Sequence, residues 1–223
     1  MAKHRLTVLI SGSGTNLQAL IDACAAGLID ADIVHVISNR RNVKGLERAQ
    51  NANIPTSYHN LVKYKNDDKK EHGELDEDRA RGKYDADLAK LILEHQPRPH
   101  LVVCAGFMHI LKPAFLDPLD QEGVKIINLH PALPGQYDGK DAIERAFADY
   151  QQGKVENTGL MIHYVIAAVD RGQPIVVQKV PFHKDESEVQ LKDRFHAQEH
   201  RAIVEGTQLA LAALPGMASA AQT

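Results

Sequence analysis

Short apolar runs alternate along this chain with stretches whose apolar residues recur at helical spacing. LTVLI (6–10) is a continuous apolar run that leads into a Gly-rich turn. Beyond it, Leu17, Leu20, Ile21 and Cys24 fall at i, i+3, i+4 and i+7, one face of an amphipathic helix that Gly27 can cap. The rhythm continues with a strand over 31–39, a helix over 45–53 and a helix over 87–96 that carries Leu88, Leu91, Ile92 and His95 on one side. Strands over 101–106 and 124–130, a helix over 141–153, strands over 159–169 and 174–182 and a final helix from about 187 to 214 complete the pattern. Apolar strands alternating with helices predict an α/β fold, a mostly parallel twisted sheet with helices on both faces and right-handed crossovers. Sites in such sheets lie at the carboxyl ends of the strands. Two stretches break the rhythm. The mixed-sign segment 63–85 predicts a solvated helix or loop, and the small, polar 215–223 predicts a flexible tail. With no repeat or linker, 1–223 reads as one domain.

The strand VKIINLH (124–130) is unusual, because Asn128 and His130 sit inside an otherwise apolar run that Pro131 stops. Residues i and i+2 of a strand point to one face about 6–7 Å apart, so these two side chains can converge on one small group. An Asn amide can donate to a developing oxyanion, and an imidazole can move a proton at neutral pH, a pairing suited to acyl transfer. A buried, mutually satisfied polar pair fits the spacing as well. No second His or carboxylate stands at ligand spacing on this strand, so no metal is expected. In the turn SGSGTNL (11–17), Gly12 and Gly14 let backbone approach a ligand, and the following helix offers free N–H groups to a phosphate; a tight turn alone would use the same glycines. There is no Walker lysine, and Leu17 stands where a dinucleotide fingerprint has its third Gly. Arg40 and Arg41 after the second strand keep an NADP-dependent oxidoreductase open.

Composition narrows the classes. The 223 residues are 43% hydrophobic and 25% charged, with a net charge of −3, so the chain has no overall field for nucleic acid or anionic lipid. No membrane partner is expected: no apolar run approaches the ~20 residues of a span, and the charged Lys3, His4 and Arg5 do not resemble a leader, so a cytoplasmic protein is expected. Cys24 and Cys104, both in apolar patterns, read as buried free thiols.

The segments VLISGSGTNLQALIDA, SNRRNVKGLERA, VVCAGFMHIL, INLHPALPG, HYVIAAVDRGQPIV and QEHRAIVEG resemble, in this order and over about residues 5–212, the phosphoribosylglycinamide formyltransferases, and most of all their single-function fungal form. The resemblance implies a Rossmann-like formyltransferase fold, with a phosphate-binding half over about 5–106 and a folate-binding and catalytic half over about 107–214. It also implies a place in purine (IMP) biosynthesis, with 10-formyltetrahydrofolate as formyl donor, 5-phosphoribosylglycinamide (GAR) as acceptor and no metal. By the same resemblance Asn128, His130 and Asp170 are catalytic. Gly12, Ser13, Gly14, Thr15 and Asn16 hold the substrate phosphate, and Glu199 holds its ribose or glycinamide end. Met108, His109, Ile110 and Leu111, with Asn128, Ile166, Ala167, Ala168, Val169 and Asp170, line the folate pocket, and Arg81 adds a folate contact.

The implied chemistry is attack of the glycinamide amine on the formyl carbon, with Asn128 and a protonated His130 facing the oxyanion and Asp170 favouring the imidazolium. Three features depart from the family pattern: Asp141 stands where many relatives have His, QPRPH (96–100) is longer than usual, and DRGQP (170–174) replaces Asp-Gly-Gly-Pro. A formyltetrahydrofolate hydrolase would share Asn128, His130 and Asp170, but it usually carries an N-terminal regulatory domain. A methionyl-tRNA formyltransferase should carry a basic C-terminal domain, so neither is favoured. Small-molecule substrates are the expected partners, and no protein partner is indicated. A small-molecule binding protein without turnover is the remaining alternative.

Overall fold

In a computed structural model, which describes residues 3–215, strands and helices alternate through most of the chain. The first half runs β1 (His4–Ile10), α1 (Thr15–Ala25), β2 (Ala31–Ser38), α2 (Lys44–Asn51), β3 (Thr56–Tyr58), α3 (Leu61–His72), α4 (Glu77–Glu94) and β4 (Leu101–Cys104). The second half runs α5 (Pro113–Gln121), β5 (Lys125–His130), α6 (Ala142–Gln151), β6 (Asn157–Tyr164), β7 (Pro174–Pro181) and α7 (Glu188–Ala212). All strands join one sheet in the order β3-β2-β1-β4-β5-β6-β7, parallel from β3 to β5 and antiparallel across β5–β6 and β6–β7. Among the described residues no helix is long and apolar enough to cross a membrane. The expected flexible tail falls, from residue 216, outside the described residues.

The period of two along each strand sorts side chains into two cores. Leu6, Val8 and Ile10 of β1 join Leu17 and Leu20 of α1 and Ala202 and Ile203 of α7 on one face, while Leu9 joins Tyr84, Leu88 and Ile92 of α4 and Phe115 and Leu119 of α5 on the other. In β5 the same parity sends Ile127 and Leu129 to the α7 side and Ile126 to the α4–α5 side. Asn128 and His130 therefore share the face of Ile126 and lie further along the strand, towards its open end.

Several elements differ from the sequence expectation, each for a local reason. The polar 63–85 segment is helical, supplying most of α3 and the first half of α4, so α4 begins ten residues before the expected start. Its apolar period is weak because these helices are joined by a charge pair. Asp68, 1% exposed, takes Nε and Nη2 of Arg79 at 2.5 and 2.9 Å, and Arg79 holds its carboxyl down at about 2. Helix α5 escapes a reading that treats Pro as a breaker; Pro113 opens it, where a missing N–H costs nothing, while Pro118 lies inside. Strand β4 ends at Cys104 rather than 106, and β6 ends at Tyr164 rather than 169. After Tyr164 the chain doubles back so tightly that a Cβ on Gly172 would lie 1.6 Å from the Tyr164 carbonyl oxygen. The apolar VIAAV stretch is thus largely an exposed loop, with Ile166 at 47% and Val169 at 36% exposure. Both cysteines are free thiols, Cys104 buried and Cys24 half-buried, and burial pushes them up to about 12 and about 11.

Candidate active site

The carboxyl ends of β1, β4 and β5 lie side by side. Leu9 is in register with Cys104 and Cys104 with Asn128, which sets Asn128 about 10 Å across the sheet from the end of β1 at two strand spacings. Three loops leave this edge: 11–14 from β1, 105–112 from β4 and 131–141 from β5. A fourth, 165–173, comes from β6, whose carboxyl end lies by the start of β5 because the pair is antiparallel.

Asn128 and His130 project from β5 beside one another. His163 of β6 stands directly opposite Asn128 in the antiparallel ladder, and Asn128 Nδ2 donates to His163 Nε2 at 3.3 Å. His163 Nδ1 lies 2.9 Å from the Tyr164 carbonyl oxygen, which can only accept, so Nδ1 carries a hydrogen. In the neutral ring Nε2 is then the bare acceptor that Asn128 needs. One N–H of the amide is thereby spent on orientation and the second is left to point elsewhere.

Asp170 stands between the two imidazoles. Its Oδ2 lies 3.5 Å from His130 Nδ1 and its Oδ1 lies 3.5 Å from His163 Nε2, while Oδ2 also accepts the Gly139 amide at 2.8 Å. Asp170 itself has φ +54°, the left-handed conformation in which Asp is tolerated, as the tight return after β6 demands. Burial raises its carboxyl, but the Gly139 N–H and the two imidazoles, when protonated, outweigh this and leave it below the ordinary carboxylate value. His130, 3% exposed, shows the reverse balance. Burial lowers it, and the upward pull of Asp170 with smaller help from the Gln136 backbone and Asp138 does not compensate. The resting ring is therefore shifted towards its neutral form at pH 7. Its Nε2 is buried and without a protein partner, on the side of the ring away from Asp170.

The turn after β1 has its own support. Gly14, at φ +70°, precedes the first turn of α1, and a Cβ there would lie 2.5 Å from Gly45 Cα at the start of α2. Gly45 N donates to the Gly12 carbonyl at 3.1 Å, Arg48 Nε to the Ser13 carbonyl at 2.9 Å, and Arg48 Nη1 to Gln18 Oε1 at 3.2 Å. The first N–H groups of α1, beginning with Thr15, face the same open edge. Asn16 Nδ2 donates to Glu199 Oε2 at 3.3 Å, both residues being buried, while Asn16 Oδ1 has no protein partner. Glu199 on α7 thus meets the turn.

On the other side, Met108 at 64% and Ile110 at 46% exposure present apolar side chains to solvent, as do Ile166 and Val169 with the exposed Ala167 and Ala168. His109 and Leu111 do not join them. Leu111 is 8% exposed in the α4–α5 core, and the His109 ring turns inward to Asp85, because alternate residues of the extended segment face opposite ways. Arg81, on α4, lies 3.6 Å from Glu77.

Two features that the sequence analysis left unexplained have a structural setting. Arg171 donates through Nε to Asp138 Oδ2 at 2.7 Å and so links the 165–173 and 131–141 loops. Asp141 occupies the N-cap of α6 at φ +55° with no side-chain capping bond, so its side chain remains free. The residues missed at the sequence level are His163 and Ser11. His163 is a lone polar residue in an apolar run, as Asn128 is, but only the cross-strand register brings them together. Ser11 Oγ donates to Asn39 Oδ1 at 2.7 Å and accepts the Met108 N–H at 2.7 Å, joining the β1 turn to the β4 loop.

Known proteins resemble this chain over most of its length. A family model described as formyl transferase matches residues 4–207. The phosphoribosylglycinamide formyltransferase of Schizosaccharomyces pombe is 54% identical over 202 residues, 90% of this chain and 93% of that one. That of Saccharomyces cerevisiae is 46% identical over 208 residues, 91% and 95% of the two chains. Among solved structures, glycinamide ribonucleotide transformylase 1 from Symbiobacterium toebii superposes with a TM-score of 0.78 at 31% identity, covering 93% of this chain and 87% of that one. This chain belongs to the phosphoribosylglycinamide formyltransferase family.

Proposed function

We infer that the protein transfers the formyl group of 10-formyltetrahydrofolate to the amine of 5-phosphoribosylglycinamide, giving formyl-GAR and tetrahydrofolate in purine biosynthesis. The observation that carries the mechanism is the buried His130 on the same face of β5 as Asn128, its Nε2 without a protein partner and Asp170 behind the ring. The two free, protonated thiols suit a reducing compartment such as the cytoplasm.

We assign the phosphate to the half built from about 5–106, where Gly12, Ser13, Gly14, Thr15 and Asn16 surround the N-terminus of α1 and Glu199 reaches in from α7. The half from about 107–214 supplies the folate side, with Met108 and Ile110 against Ile166, Ala167, Ala168 and Val169. His109 and Leu111 shape this side through the backbone, and Arg81 stands at its outer end.

The GAR amine attacks the formyl carbon, a C–N bond forms, and the carbonyl oxygen becomes an oxyanion that takes the free N–H of Asn128. His130 Nε2, neutral at rest, accepts a proton from the attacking nitrogen and becomes the imidazolium that Asp170 stabilises. The intermediate then collapses: the bond to folate N10 breaks and His130 returns the proton to that nitrogen. The proton gained in attack is the one lost in collapse, so His130 ends neutral.

Mixing protein, GAR and 10-formyl folate tests this reading. GAR-dependent release of tetrahydrofolate with one formyl-GAR per turnover is expected. Equal folate release without GAR would indicate a hydrolase, and NADPH consumption an oxidoreductase.

A further inference from the structure

The loop 105–112 leaves β4 between the ends of β1 and β5 and packs over α4. At its middle, His109 Nε2 donates to Asp85 Oδ1 at 2.7 Å, and three residues later Lys112 N donates to Asp85 Oδ2 at 2.9 Å. Both oxygens of one carboxylate are thus taken by a single loop, one by a ring N–H and one by the backbone. The pair is sealed: the Asp85 side chain is 0% exposed and that of His109 5%. The Tyr84 ring meets His109 edge-on at 4.8 Å and Phe107 meets it at 6.0 Å, closing the site from the side. A carboxylate without water is costly to keep unless its oxygens are occupied, so the loop and the helix hold each other in one relative position.

The alternation of the loop then has a consequence. Because His109 and Leu111 are drawn inward, Met108 and Ile110 must face out to solvent. Ser11 fixes the start of the same segment through the Met108 N–H. Arg81 lies one helical turn before Asp85 on α4, so the same bond sets the separation between Arg81 and the loop.

We infer that Asp85, which touches neither substrate, is a positioning residue that shapes the folate side of the site through His109 and Lys112. The inference rests on the assignment of the 108–111 segment to folate made above. Without Asp85 the His109 ring and the Lys112 N–H lose their buried partner and the outward pair Met108 and Ile110 loses its support, while the turn over 12–16 keeps its own bonds to α2.

The test is steady-state formyl transfer with the full chain, beside equilibrium binding of 5-formyltetrahydrofolate. Asp85→Ala is expected to raise the folate KM and the 5-formyltetrahydrofolate Kd about tenfold, with the GAR KM within about twofold of wild type. His109→Leu should reproduce this pattern. Asp85→Asn, which keeps an acceptor for Lys112 N and a polar partner for His109, should fold readily and recover most of the loss. A parallel rise in both KM values, no rise in either, or an Asn variant no better than Ala would overturn the inference. If the wild-type protein binds 5-formyltetrahydrofolate but does not formylate GAR, the functional reading fails on its own. The Kd comparison would still decide the role of Asp85.

Discussion

His130 is the residue on which the chemistry turns, and its environment sets the order of events. A ring held neutral by burial acts first as a base, and Asp170 is useful later, when the ring carries the proton taken from the amine. Because Asp170 raises His130 and burial lowers it, Asp170→Asn is expected to move the acid limb of kcat to lower pH. The same change should cut kcat by about 10²-fold, through loss of the imidazolium's counter-charge. A pH profile of the variant checks this; an acid limb shifted upward would contradict it. Asn128 and His130 were legible in the sequence because a strand's period of two is reliable and polar residues in an apolar run stand out. His163 was not legible, since its partnership with Asn128 exists only once β6 is paired antiparallel with β5 in one register. The inward turn of His109 needed the position of Asp85, 24 residues away.

At the level of elements, the phosphate turn depends on α2 as much as on its own glycines. Gly14 and Gly45 touch backbone to backbone, and Arg48 grips the Ser13 carbonyl. Gly14→Ala combines a positive φ with a Cβ 2.5 Å from Gly45 Cα, so the turn must open. The expected result is an increase of about tenfold or more in the KM for GAR with the folate KM little changed, given the ~1–3 kcal/mol of such strain. Equal changes in both would show that this turn does not hold the phosphorylated substrate. The βα unit itself was plain from periodicity. Helices α3 and α4 were only half legible, because a helix held by buried Asp68 and the partly exposed Arg79 shows little apolar rhythm. The apolar VIAAV stretch predicts strand because composition does not reveal that Gly172 folds the chain back at Tyr164.

For the whole molecule, alternation of apolar runs with helical spacing sufficed for a mostly parallel α/β sheet, whereas the antiparallel turn at β6 and β7 depends on connections that local patterns do not encode. Away from the site, His35 of β2 is 3% exposed and stacks on His95 at 4.2 Å between ring centroids. Burial, aided by His95, lowers it to about 4. The unfolded chain binds this proton near pH 6.5 and the folded chain only near 4, so stability is full above about 6.5 and falls as pH drops through this window, by on the order of 3 kcal/mol. His35→Gln is expected to flatten that decline in urea melts at pH 7 and pH 4.5; an unchanged difference would contradict the assignment. The most direct test of the central claim is the single-turnover rate of formyl transfer in Asn128→Ala and His130→Ala, both substrates saturating and the fold verified by circular dichroism. The account expects rates lower by about 10²–10³-fold for Asn128→Ala and about 10²–10⁴-fold for His130→Ala. A near-wild-type rate in either variant would contradict it.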